Sequence, residues 1–102
     1  MLLPNADLFE FLSSHGISLA DFGSAERGLS AEHAISFVRM LQAHGFSPVG
    51  IEVWRRKGNA WRIDSTGGWF ADELDPDEAV SDAIIFLGEV DAAERTSFTV
   101  QF

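Results

Sequence analysis

The sequence has no cysteine, no long apolar run and few bases, and each of these gaps excludes a kind of protein. Without cysteine there are neither disulfides nor thiolate metal sites, which suits a reducing cytoplasm. No apolar run approaches the roughly 20 residues that span a bilayer. The opening residues lack a basic region, and Asp7 and Glu10 interrupt them, unlike a signal peptide. We therefore expect a soluble, cytoplasmic protein.

The scarcity of bases leaves a strongly negative chain. Seven Lys and Arg residues stand against sixteen Asp and Glu, a formal net charge of −9. Such a charge repels phosphate backbones and anionic lipid, so we expect no nucleic-acid or membrane partner. Solubility alone can explain an acidic composition. A positively charged protein partner is the functional explanation, because complementary fields accelerate encounter.

The charge is also unevenly placed along the chain. Four of the seven bases fall within eight residues: Arg55, Arg56, Lys57 and Arg62. Six acids then follow without a base among them: Asp72, Glu73, Asp75, Asp77, Glu78 and Asp82. The sequence predicts a basic hairpin and an acidic helix entrance.

Helical periodicity is clearest in the first half of the chain. It predicts a helix from Ala6 to His15 and a short turn of helix ending at Gly23. The length of the chain and the lack of a linker or repeat predict one domain over residues 1–102. A longer helix begins after Ser30, a favourable N-cap, and ends at Gly45. Its buried stripe comprises Ala34, Phe37, Val38 and Leu41.

The period then changes from near four to two. Residues 48–56 and 60–64 alternate as a β-hairpin does. A three-residue loop, Lys57 to Asn59, is preferred because it places Val53 opposite Ile63 on an inner face and leaves Trp54 outside. A two-residue loop, Gly58 and Asn59, would instead gather Trp54, Trp61 and Ile63 on one face.

Three further elements complete the expected fold. A turn at "STGG" leads to a third strand, "GWFA", because glycine tolerates positive φ. Asp75 and Pro76 then start a helix that ends at Gly88. The stretch "TSFTVQF" alternates as a closing strand. We predict an α+β fold: two or three N-terminal helices, a hairpin or meander, one further helix and a C-terminal strand, in a single layer of sheet packed on helices.

Catalytic and metal templates are missing from the sequence. The clustered acids sit at a helix N-terminus, where exposure and the helix dipole keep them ionised rather than poised for acid–base chemistry. "DELDPDE" lacks the ligand spacing of an EF-hand. The three histidines show no metal-binding spacing, and no G-x-S-x-G elbow occurs. We expect no enzyme activity and no cofactor.

Three tryptophans remain to be placed. Trp61 and Trp69 are expected in the core, as large aromatics usually are. Trp54 lies among charged residues and has two interpretations. Its ring is either shielded by the stems of Arg56 and Arg62 or exposed as an interface anchor, since hot spots favour Trp and Arg.

Several segments resemble, in order, the immunity protein 40 family of bacterial polymorphic toxin systems. They are "GISLADFG", "GLSAEHAISFVRML", "VGIEVWRR", the pair Trp69–Phe70 and "AVSDAIIFL", covering roughly Gly16 to Gly88. None is a catalytic signature. The resemblance implies a non-enzymatic inhibitor that binds a cognate toxin, expected to be basic, and blocks it stoichiometrically.

The leading hypothesis is thus an immunity protein that binds its toxin through an acidic surface around Asp72 to Asp82. Trp54 and Arg56 are candidate secondary contacts. The alternative is a small non-enzymatic adaptor or structural domain with a partner that is not a toxin. A third class, an enzyme or ligand-binding domain, would require a concave pocket with convergent polar groups.

Overall fold

The protein folds as α+β, as predicted, in a computed structural model that describes residues 5–90 and 96–102. The helices are α1 (Ala6–His15), α2 (Ala31–Ala43) and α3 (Pro76–Glu89), with a 3₁₀ turn at Ala20–Phe22. The strands are β1 (Ile17–Ser18), β2 (Arg27–Gly28), β3 (Gly50–Lys57), β4 (Ala60–Phe70) and β5 (Thr96–Gln101).

The helices begin and end largely where the sequence predicts. The Ser30 hydroxyl accepts the backbone N–H of His33 at 3.2 Å, and the Asp75 carboxylate accepts that of Glu78 at 2.9 Å. These bonds satisfy amides that a helix start otherwise leaves unpaired. The predicted stripe of α2 is fully buried. Gly88, expected to end α3, has no positive φ, and the helix continues to Glu89.

The main sheet has three antiparallel strands in the order β4-β3-β5. Its inner face carries Ile51, Val53 and Phe98, all fully buried in the core with residues of the helices. Trp69 joins this core from β4, as predicted, and its indole N–H donates to the Asp82 carboxylate at 2.8 Å. That bond connects the sheet to α3.

The hairpin between β3 and β4 has the register that the sequence argument rejected. Trp54 lies opposite Ile63 and Arg55 opposite Arg62, so the loop is Gly58 and Asn59 alone. The prediction of a three-residue loop is therefore wrong. Gly58 has φ +61°, which suits the first central position of a type II′ turn and makes the short loop possible.

The predicted turn at "STGG" is also wrong, because β4 continues through it as a bulge. Between the pairs Val53–Asp64 and Ile51–Trp69, β3 has one residue and β4 has four. The two glycines here provide space rather than positive φ. A Cβ at Gly67 would lie 2.9 Å from the Asp64 carboxylate, and one at Gly68 would lie 3.1 Å from a β3 carbonyl.

A segment that we term the covering loop, Ile17 to Gly28, lies over the outer face of the sheet. Its ends pair as β1 and β2, a second, two-stranded sheet that the prediction of one layer did not include. Gly28 lies against Ser97 of β5, whereas the 3₁₀ turn lies against β4. The loop therefore crosses β3, and Trp54 beneath it is only 6% exposed.

Candidate partner-binding surface

One end of the sheet gathers the surface features that point to a partner. β3 starts there, and β4 and β5 finish there. The backbone N–H of Val49 donates to Gln101 at 2.8 Å, and that of Ala71 donates to Val49 at 3.1 Å. These bonds place the residues flanking three strands side by side.

Five large apolar side chains are exposed at or beside this end, and we call them the apolar patch. They are Phe46, Val49, Phe70, Leu74 and Phe102. Phe70, the last residue of β4, is 65% exposed, and Val49, which precedes β3, is 55% exposed. The rings of Phe46 and Phe102 stand 5.8 Å apart between centroids. Exposed apolar groups gathered within a polar surround are typical of protein-binding sites.

Six exposed acids adjoin the patch, where β4 leads into α3, and we call them the acidic rim. They are Asp72, Glu73, Asp75, Asp77, Glu78 and Asp82. No base within residues 5–90 or 96–102 forms an ion pair with any of them. Their negative charge therefore faces solvent without local compensation.

Some acids of the rim form hydrogen bonds within the fold, and others do not. The pKa of Asp75 is lowered because its carboxylate accepts the backbone N–H of Glu78. The pKa of Glu78 is raised because its carboxyl group shares a hydrogen bond with Asp75 and is repelled by that charge. Asp82 is held by Trp69. Across the described residues, Asp72, Glu73 and Asp77 make no side-chain hydrogen bond.

The structure separates the other two predicted contact residues from this surface. Trp54 is buried under the covering loop and donates to the Thr99 hydroxyl at 3.3 Å, so of its two interpretations the exposed anchor is excluded. Arg56 is exposed but lies at the opposite end of β3, where its side chain donates to the Gly58 carbonyl at 3.0 Å. Trp61, expected in the core, is half-buried on the outer face.

Sequence reasoning located the acids but missed most of the apolar patch. Phe46 and Val49 lie in the connection between α2 and β3, where no periodicity marks a face. Phe102 follows β5 and continues the alternation of Phe98 and Val100, yet it is exposed whereas those two are buried.

The histidines form contacts that sequence spacing could not reveal. The rings of His15 in α1 and His33 in α2 have centroids 4.3 Å apart and are tilted by 37°, and His44 lies 2.8 Å from the Asp7 carboxylate. Within the part of the chain that the structure describes, no three metal-ligating side chains converge, and no helix is long and apolar enough to cross a bilayer.

No protein-family model matches the chain, and no curated protein matches it either. The resemblance to the immunity protein 40 family stays a prediction.

Proposed function

We propose that this protein is an immunity protein that binds a cognate bacterial toxin and neutralises it stoichiometrically. The observation that supports the proposal most is the juxtaposition of the apolar patch with the acidic rim at one end of the sheet. Apolar anchors supply most of the affinity at protein interfaces, and complementary charge supplies rate and specificity. The family resemblance supports a toxin as the partner.

The chemistry of the surface suits a basic protein partner. A standard interface buries roughly 800 Å² on each partner. That is about one eighth of the 6385 Å² that this chain exposes. Phe70 and Val49 would form the centre of such an interface, where water exclusion raises their contribution. The acids around them would face lysines or arginines of the toxin.

Co-expression with the large protein encoded by the neighbouring gene tests the proposal. We expect growth rescue, co-purification and an association rate that falls steeply as salt is added, since salt screens the acidic rim. The variant Asp72→Asn, Glu73→Gln, Asp77→Asn removes three charges without disturbing the helix cap or Trp69. We expect its association to be at least about tenfold slower at low salt.

A matched variant removes the same charge elsewhere: Glu10→Gln, Asp21→Asn, Glu32→Gln, all at exposed positions. Equal slowing of both variants would show that only net charge matters and would remove the acidic rim from the mechanism. Phe70→Ala tests the apolar patch, and a loss of about 2 kcal/mol of binding energy is expected for a hot spot. Rescue and affinity unchanged in this variant would contradict the proposed centre.

A further inference from the structure

The hairpin end of the sheet carries a recess of about 320 Å³ that the proposed function does not use. We call it the hairpin recess. It is lined by Arg55, Lys57, Arg62, Ile63, Asp64 and Ser65. The recess lies toward the hairpin, whereas the acidic rim follows the other end of β4. The two sites have no residue in common.

The recess concentrates positive charge, and the cationic side chains repel one another. Arg55 and Arg62 are directly opposite each other across the strands, an unfavourable like-charge pair, and Lys57 is on the same face. Arg55 donates to the Thr96 hydroxyl at 3.0 Å and lies 3.6 Å from the Asp64 carboxylate. Across residues 5–90 and 96–102, Lys57 and Arg62 form no ion pair with an acid. A bound anion would relieve this repulsion.

The recess also adjoins backbone that is available for pairing. β4 is the outermost strand of the sheet, and from Ala60 to Asp64 its register with β3 is regular. No strand of the described chain pairs with its other edge. Ile63 points to the opposite face from Arg62, yet it lines the recess, so the recess extends to the β4 edge. An extended peptide could pair there by β-augmentation.

Asp64 decides which anion suits the recess. Its carboxylate accepts hydrogen bonds from the hydroxyl and the backbone N–H of Thr66, at 2.8 and 3.1 Å, and both lower its pKa. It therefore stays negative beside the cationic side chains of the recess. A phosphate dianion would meet that carboxylate at close range, whereas single carboxylates can spread along Arg62 and Lys57.

We propose that the hairpin recess and the β4 edge bind an extended acidic segment of a protein partner. Glu or Asp side chains of the segment pair with Arg62 and Lys57, while its backbone bonds to Ala60–Asp64. This inference does not rest on the toxin proposal, because it concerns the opposite end of the sheet.

NMR titration of the whole protein with a short alternating peptide, Val-Glu repeated three times, tests the inference. Alternation places all three carboxylates on one face of an extended chain. We expect backbone amide shifts confined to residues 55–57 and 60–64, larger than those from sodium chloride of equal ionic strength. Arg62→Glu should weaken binding about tenfold or more, since it reverses one charge of the pair.

Arg39→Glu is the matched control, because it makes the same change at an exposed position of α2. Binding lost equally in both variants would overturn the inference, as would equal binding of the Val-Gln peptide. Inorganic phosphate is a separate probe. Shifts from phosphate with none from the Val-Glu peptide would assign the recess to a phosphorylated ligand and reject the peptide. No response above the salt control to either probe would reject the site.

Discussion

The two faces of the three-stranded sheet differ in what covers them. Helices cover the inner face, and the covering loop lies over the outer face. The inner face packs Ile51, Val53 and Phe98 against helices. The outer face carries polar side chains under the covering loop. There Thr99 accepts from Trp54 and donates to Glu52 at 3.1 Å, and its hydroxyl lies 3.2 Å from the Gln101 amide nitrogen.

The loop itself joins this polar network. The Gln101 amide donates to Glu26 of the covering loop at 2.7 Å and to Glu52 at 3.1 Å. Thr99, at the centre, is fully buried, and none of the buried polar side-chain atoms of the described residues lacks a partner. The difference teaches that the inner face needs apolar volume, whereas the outer face needs its hydrogen bonds to remain complete.

The largest effect is expected from removing volume on the inner face. Phe98→Ala should lower the free energy of unfolding by about 3–5 kcal/mol, because it leaves a cavity where the ring is fully buried. Urea denaturation followed by tryptophan fluorescence measures this. The matched control is Phe70→Ala. Because the ring of Phe70 is exposed, this substitution should lower the free energy of unfolding by about 0.5 kcal/mol or less. Similar losses in both variants would contradict the assignment of the inner face as the core.

An intermediate loss of stability is expected on the outer face, where replacing a polar side chain by an apolar one should destabilise the fold. Thr99→Val keeps the shape and adds apolar character, yet it should destabilise the fold by about 1–3 kcal/mol, because it leaves the buried indole N–H of Trp54 without its acceptor. Val100→Thr, on the inner face, should also destabilise, since it buries a hydroxyl. A neutral or stabilised Thr99→Val would mean that both faces depend on apolar packing alone.

This contrast also explains how much of the fold was predictable. Helix stripes and caps are local patterns, so α1, the N-cap of α2 and the start of α3 follow from neighbouring residues. The covering loop has no period, and its contacts with Ser97 and Gln101 join residues far apart in sequence. Hence Trp54 was predicted on the correct face, but the loop that covers it was not predicted.

The candidate surface was predictable to a similar degree. The acidic rim follows directly from composition and the helix start at Asp75. The apolar patch depends on where three strands end relative to the helices, which is a tertiary property. The hairpin register failed because it was chosen to place Val53 and Ile63 together on the inner face, whereas the two-residue loop places Ile63 opposite Trp54 on the outer face and Asp64 opposite Val53.

The smallest effect is expected at the edge of the inner face, where the charged Asp64 lies next to the apolar core. Asp64 lies opposite Val53, and its pKa is below the ordinary 3.8, chiefly through the Thr66 hydroxyl. A lowered folded-state pKa contributes stability above pH 3.8 that is lost as pH falls through the folded value. Thr66→Val should therefore raise the pKa of Asp64 and reduce the acid destabilisation that this carboxylate causes. Carboxyl-carbon NMR titration measures the pKa, and Thr66→Ser, which keeps the hydroxyl, should leave it low. An Asp64 that titrates identically in the valine variant would show that the hydroxyl does not hold this carboxylate.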